Sequence, residues 1–145
     1  MPERWLVLLR HGEAEPVASR PDQGRQLTRH GLHQARTAAK QIAALDPPPS
    51  RLLTSTAPRA AATAACAAEA LGLDAGARLS IDALYLASPA TLREVLRSHW
   101  GQAGCLLLVG HNPGLSELGA QLDPGHEGAA LGTGDWWRIA LEDFP

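Results

Sequence analysis

Two histidines in this 145-residue chain each follow a short apolar run. The run WLVLL, residues 5–9, leads into Arg10 and His11, and the run CLLLVG, residues 105–110, leads into His111. A neutral imidazole carries a nitrogen lone pair that can attack an electrophile. A guanidinium binds phosphate or carboxylate oxygens through a planar pair of donors. These residue types at the ends of two apolar runs indicate chemistry on an oxyanion.

A third segment, LLTSTAPRAAATA at residues 52–64, repeats this arrangement and places Arg59 in the first turn of a predicted helix. The carboxyl ends of parallel strands lie at one edge of an open sheet, where ligands bind. Asn112 and Pro113 are expected as the N-cap and first residue of a helix beside His111, and the free N–H groups of such a helix end attract anions. Together these groups suit a tetrahedral phosphoryl group best.

The hydrophobic pattern predicts alternating strands and helices, which is typical of a mostly parallel sheet covered by helices on both faces. The predicted strands are residues 5–10, 51–55, 78–84, 105–110 and 135–142. The predicted helices are residues 28–45, 57–72, 89–100 and 113–122. Two polar loops, 13–27 and 123–134, are expected to be simple connections, and the first is the better candidate for a flexible lid.

The composition excludes several classes of protein. Apolar residues make up 45% of the chain and charged residues 19%, which fits one folded domain spanning residues 1–145. A net charge of −2 argues against a nucleic-acid partner. The apolar runs are too short for a membrane span or a signal peptide, so we expect a cytoplasmic protein without a membrane partner, with a monomer favoured. Cys66 and Cys105 are expected to be small buried apolar residues.

Four segments resemble the histidine phosphatase superfamily: LLRHGEAE (8–15), LTRHGLHQA (27–35), LLTSTAPRAAATA (52–64) and LLVGHNPGLSEL (107–118). The shortness of the chain and the sequence GHNPGLSEL point to the small phosphohistidine phosphatase (SixA-like) branch. The resemblance covers nearly the whole chain in the same order. It implies a three-layer α/β/α sandwich with a mostly parallel central sheet, the phosphoglycerate mutase-like fold.

The resemblance also implies roles for individual residues. It implies that His11 is the nucleophile and becomes phosphorylated during the reaction. The implied phosphate pocket is completed by Arg10, Arg59 and His111, with Gly12 and Asn112 among the substrate-binding residues. No metal or other cofactor is expected, because the arginines supply the positive charge.

The chemistry sets two conditions on His11. It must attack as a neutral imidazole, and two nearby arginines disfavour its protonation. Its other ring nitrogen is expected to donate to a backbone carbonyl, and Gly12 leaves room for the chain to fold close.

The segment SIDALYLAS, residues 80–88, departs from the many superfamily members that carry an acidic residue to protonate an alcohol leaving group. Asp82 is the nearby carboxylate, and a surface or turn role is the favoured interpretation for it. An imidazole leaving group, with a reference pKa of about 6.5, departs far more easily than an alkoxide. The missing acid therefore favours a phosphohistidine substrate.

The leading hypothesis is a phosphatase that acts on a phosphorylated protein, a phosphohistidine carrier. The alternative within enzymology is a phosphomonoesterase or mutase for a small phosphate ester. A chain this short offers little to shield a phosphoenzyme from water, which disfavours the mutase. The alternative from another class is a non-catalytic module that only binds phosphate.

Overall fold

The computed structural model describes residues 4–142. Its five-stranded sheet has the order β3-β2-β4-β1-β5. The strands are β1 (Arg4–Arg10), β2 (Arg51–Thr54), β3 (Arg78–Ser80), β4 (Cys105–Gly110) and β5 (Trp136–Leu141). The helices are α1 (Arg29–Ala43), α2 (Pro58–Leu71), α3 (Pro89–His99) and α4 (Gly114–Leu122). Strands β1 to β4 pair in parallel, and β5 runs antiparallel to β1 at the edge.

The helices cover both faces of the sheet, and this explains the uninterrupted apolar runs. In β1, Val7 and Leu9 face the core under α1 and α2, whereas Leu6 and Leu8 face the core under α3 and α4. Residues of β4 are buried along its whole length. A strand buried on both faces has no place for polar side chains, so its sequence does not alternate. The predicted three-layer fold is confirmed.

The layer of α1 and α2 is built mainly from small residues. Buried alanines of α1 pack beside buried alanines of α2, and Ile42 is buried in the same cluster. Thr28 caps α1 by accepting a hydrogen bond from the Gly31 N–H at 2.9 Å. Cys105 is buried in β4 as predicted, but Cys66 on α2 is only half-buried; both are free thiols.

Two predicted boundaries are wrong. The strand predicted at 78–84 ends at Ser80, because β2 offers only a short partner segment and the chain then makes a 3₁₀ turn at Asp82–Leu84. Leu84 in this turn is buried in the core, and Tyr85 follows it directly in the chain.

The second wrong boundary concerns the start of α4. Asn112 is not the N-cap and Pro113 is not the first helical residue; Pro113 precedes a helix that starts at Gly114. The Asn112 Oδ1 instead accepts from the Ser116 hydroxyl at 2.7 Å and from the Ser116 N–H at 3.3 Å. It thus reaches past the expected capping position to a donor inside the helix.

The register of β1 and β4 brings their carboxyl ends level. Arg10 pairs with Gly110, and the His11 N–H donates to the Gly110 carbonyl at 3.2 Å. His11 and His111 therefore leave adjacent strands at the same edge. Within residues 4–142, no helix is long and apolar enough to span a membrane.

Candidate active site

The two histidines at the carboxyl edge are close neighbours. Their ring centroids lie 5.2 Å apart with the planes tilted by 60°. His11 is 7% exposed and His111 is 3% exposed. Two imidazoles so near and so buried form the centre of a site rather than surface features.

The hydrogen bonds of His11 fix its tautomer. Its Nδ1 lies 2.7 Å from the Gly12 carbonyl oxygen, which only accepts, so Nδ1 carries the proton. The lone pair is then on Nε2, and the Arg59 Nε–H points at it from 3.3 Å. Burial lowers the pKa of His11 to about 4; the bond to Gly12 opposes this, and the charges of Arg59, Arg10 and Arg25 reinforce it. His11 is therefore neutral at pH 7.

Gly12 is required by a close backbone crossing. A Cβ on Gly12 would overlap the Gly31 carbonyl, and a Cβ on Gly31 would overlap the Glu13 carbonyl. The Gly12 N–H donates to the Thr63 Oγ1 at 3.1 Å, which ties the loop to α2. This contact between the end of β1 and the start of α1 sets the position of the His11 ring.

His111 has one engaged nitrogen and one unpartnered nitrogen. Its Nε2 lies 2.8 Å from the Ser55 hydroxyl, whereas its Nδ1 is buried and has no hydrogen-bond partner among the described residues. Burial lowers the pKa of His111 to about 3, reinforced by His11 and Arg59 and opposed by Asp22. A buried nitrogen without a partner costs about 1–3 kcal/mol, which a ligand oxygen would recover.

Arg59 is a buried cation, although an arginine early in a helix usually faces water. It is 2% exposed and is the second residue of α2. Its Nη1 donates to the Asp22 backbone carbonyl at 2.8 Å and its Nη2 to the Asp22 Oδ2 at 3.0 Å. With the contact from Nε to His11, these bonds fix the plane of the guanidinium.

Three residues beside Arg59 were not predicted from the sequence: Asp22, Arg25 and Tyr85. The Asp22 carboxylate accepts from Arg59, from the Arg25 Nη1 at 2.9 Å and from the Tyr85 hydroxyl. The Tyr85 bond, with help from the arginines, holds the pKa of Asp22 well below its usual range. The ring of Tyr85 also meets the His111 ring edge-on at 5.4 Å. The Asp-x-x-Arg spacing and the presence of a single tyrosine were the available signals, and neither indicates a site alone.

Arg10 reaches the loop at 123–134. Its Nη1 donates to the Leu131 carbonyl at 3.1 Å, while its buried Nε has no partner in the described part of the chain. The Asn112 side chain donates to the same carbonyl at 2.7 Å. Burial lowers the pKa of Arg10, and its charge lowers the pKa of both His11 and His111. The loop thus connects Arg10 to the helix that follows His111.

Asp82 lies outside this group. Its side chain is exposed, and no hydrogen bond in the described ranges joins its carboxylate to the pocket. The segment delivers Tyr85 to the site instead. Over residues 4–142, no three His, Cys, Asp or Glu side chains gather in a group that could hold a metal ion.

The fold and the pocket define an α/β domain of the phosphoglycerate mutase-like class, with two histidines and two arginines at the carboxyl edge of its sheet. A model of the histidine phosphatase superfamily (branch 1) matches residues 6–84, more than half of the chain. The chain belongs to this superfamily.

Comparison with solved structures supports the predicted branch. The structure is similar to the SixA protein of Agrobacterium tumefaciens, with a TM-score of 0.83 and 25% identity over 96% of this chain and 93% of that chain. It is similar to SixA of Nakamurella multipartitia, with a TM-score of 0.77 and 27% identity over 95% and 86% of the two chains.

A mycobacterial glucosyl-3-phosphoglycerate phosphatase shares the fold, with a TM-score of 0.73 and 19% identity over 93% of this chain and 89% of that chain. A search of curated protein sequences gives no match.

Proposed function

We propose that this protein is a phosphatase that forms a phosphohistidine intermediate on His11 and acts on protein phosphohistidine. The observation that carries the proposal is the state of His11: a neutral, buried imidazole with its lone pair on Nε2, facing the Arg59 guanidinium at 3.3 Å. Such a nitrogen is a nucleophile beside a phosphate-binding group.

In the first step, the His11 Nε2 attacks phosphorus and forms a P–N bond. The substrate imidazole enters with a proton on its other ring nitrogen. When the bond from phosphorus to the leaving nitrogen breaks, that nitrogen takes the electron pair and a neutral imidazole departs. Negative charge on the transferred group spreads over its three equatorial oxygens. Arg10 and Arg59 neutralise this charge from positions that the protein has already fixed.

His111 supplies a further donor to the phosphoryl group. When the Ser55 hydroxyl donates to Nε2 of His111, the proton of this neutral imidazole is on Nδ1. The buried and unpartnered Nδ1–H then donates to a phosphoryl oxygen. Ser55 therefore positions His111 by selecting its tautomer.

In the second step, a water oxygen attacks the phosphorus of phospho-His11. The P–N bond breaks, Nε2 regains its lone pair, and inorganic phosphate leaves. We propose that neither step uses a metal, because the guanidiniums carry the positive charge that the oxyanion requires. Gly12 and Asn112 act by holding the backbone at the two sides of the pocket.

Neither aspartate near the pocket in the described part of the chain is placed to donate a proton to a leaving group, which supports phosphohistidine as the substrate. Asp82 lies at the surface, and Asp22 is held ionised by Tyr85, Arg25 and Arg59 and has no proton to give. A phosphohistidine that carries a proton on its second ring nitrogen releases a neutral imidazole, whereas an alkoxide must take a proton from an acid as it leaves. Both SixA proteins in the comparison are named for phosphohistidine phosphatase activity, in agreement with this substrate class.

The test compares initial rates of phosphate release from a histidine-phosphorylated carrier protein and from sugar and nucleotide phosphates. We expect the phosphohistidine protein to be the best substrate by kcat/KM. Faster hydrolysis of a sugar phosphate would favour a metabolite phosphatase. Equal background rates for wild type and His11→Ala on every substrate, an aryl phosphate included, would favour a module that only binds phosphate.

A further inference from the structure

The exposed side of α1 carries a basic stripe, formed by Arg29, His33, Arg36 and Lys40. These residues are spaced by four, three and four positions, which places them on one face of a helix, and all are exposed. The helix contains no carboxylate, although the whole chain has a net charge of −2. Three of the four are permanent cations, and no ion pair within residues 4–142 involves Arg29, Arg36 or Lys40.

Beside the stripe runs an apolar groove of 460 Å³ between α1 and α2. Its floor is formed by Leu32 and Ala39 of α1 and by alanines and the half-buried Cys66 of α2. Arg36 and Lys40 line one side, and Glu69 is the single carboxylate on the other. Small residues let the backbone of another helix approach closely.

The groove starts near the candidate active site. Leu32 follows Gly31, which touches the backbone next to His11, and Ala62 lies less than one turn after Arg59. From Leu32 to Lys40 the helix rises by about 12 Å, a little over two turns. One bound protein segment is therefore able to occupy the groove while an adjoining part of the same protein reaches the pocket.

We propose that the groove and its basic stripe form a docking surface for an acidic amphipathic helix of the phosphorylated substrate protein. The proposal rests on the proposed function, since it names the kind of protein that brings the phosphohistidine. Apolar residues of the helix cover the alanine floor, and its carboxylates meet Arg36 and Lys40. Charge complementarity of this kind raises the association rate and selects the partner.

Other occupants fit less well. In a symmetric contact between two copies, the three cations of each α1 would lie near those of the other copy. Each groove offers only one carboxylate, Glu69, to balance them. The apolar face of α1 is buried against the sheet and cannot enter a lipid surface. A nucleic acid would leave the apolar floor uncovered, and nucleic-acid sites depend on more cations than three.

The test uses two synthetic peptides that join a phosphohistidine through a short linker to an amphipathic helix. One helix carries glutamates on its polar face, and the other carries glutamines at the same positions. The enzyme variants are Arg36→Glu with Lys40→Glu, and a matched control, Arg93→Glu with Arg97→Glu. The control changes an equally spaced pair on α3, on the opposite face of the sheet.

We expect the wild type and the control to prefer the glutamate peptide over the glutamine peptide. For the glutamate peptide at low salt, kcat/KM of the groove variant should be about tenfold lower than that of the wild type. All three proteins should hydrolyse an aryl phosphate equally. Equal loss in the control, or no loss in the groove variant, would overturn the docking surface.

A second measurement does not depend on catalysis. Fluorescence anisotropy measures the binding of the fluorescein-labelled, unphosphorylated glutamate peptide to each protein. Weaker binding to the groove variant supports docking even when no phosphatase activity is found, so the two proposals fail separately. A wild-type dimer that the groove variant dissociates, seen by sedimentation, would assign the groove to a second copy and overturn the proposal. Wild-type binding to anionic vesicles or single-stranded RNA in place of the peptide would do the same.

Discussion

At the scale of single residues, the proposed mechanism depends on keeping two imidazoles neutral. Burial, rather than the neighbouring arginines alone, is the main cause of the low pKa values of His11 and His111. Sequence reasoning placed the arginines near His11 but could not measure how deeply the ring is covered. The backbone beside the ring is held by contacts of Gly12 with Gly31 and Thr63, which lie far along the chain.

This burial predicts a dependence of stability on pH. The pKa of His11 is about 4 in the folded protein, against about 6.5 in an unfolded chain. Between these values the unfolded chain binds more protons, so the free energy of unfolding falls as the pH is lowered. We expect His11 to account for a loss on the order of 2–3 kcal/mol between pH 7 and pH 4.5.

Urea denaturation of wild type and His11→Asn at both pH values measures this contribution. The variant should lose less stability on acidification than the wild type, and the exposed-residue control His30→Asn should behave like the wild type. An identical pH response in His11→Asn and wild type would mean that the ring is not held neutral by the fold.

Asp22 offers a second prediction at this scale. Its backbone carbonyl and carboxylate hold the Arg59 guanidinium in the orientation that faces His11. In Asp22→Ala the side-chain bond is lost, and we expect kcat/KM for an aryl phosphate to fall about tenfold because Arg59 is less well positioned. Glu15→Ala, which removes another carboxylate of the same loop, should leave the rate unchanged.

The opposite result is equally informative. If Asp22→Ala bound inorganic phosphate more tightly and hydrolysed the aryl phosphate faster, the carboxylate would be a competitor for the arginine rather than its support. Isothermal titration with phosphate, alongside the rates, separates the two outcomes.

At the scale of elements, the sequence predicted the type and chain order of the five strands and four α-helices described above, since buried strands appear as continuous apolar runs and the helices as amphipathic or alanine-rich stretches. The errors fall where side chains of distant segments decide the boundary. The strand at 78–84 stops early because β2 is short, and Asn112 bonds to Ser116 instead of capping α4. The basic residues of α1 can be read from the sequence. The net charge of the whole chain, however, does not indicate that they lie together on one exposed face.

The crossing of β1 and α1 predicts a strong effect of a small substitution. In Gly12→Ala the new methyl group would overlap the Gly31 carbonyl. The overlapping atoms belong to the backbone, which cannot move aside as a flexible side chain could. We expect a loss of more than about 2 kcal/mol in the free energy of unfolding. Chemical denaturation checks it, with Gly104→Ala as the control, because a Cβ at Gly104 meets no atom within 4 Å. Equal stability of the two variants would contradict the described backbone contact.

At the scale of the whole molecule, the fold gathers groups from both halves of the chain at one sheet edge. The parallel order of β2, β4 and β1 brings Arg59, His111 and His11 together, which strand-end reasoning predicted. The loop residues that complete the site were not predictable in this way. Asp22 and Tyr85 lie in or next to short 3₁₀ turns whose positions depend on packing, not on periodicity.

Rapid-quench detection of phosphate on the enzyme, followed by mass spectrometry of the labelled peptide, shows whether His11 is the nucleophile. We expect an acid-labile, base-stable phosphoryl group on His11 during turnover of an aryl phosphate, and none in His11→Ala. Full turnover by His11→Ala, or label on His111 in the wild type, would contradict this assignment.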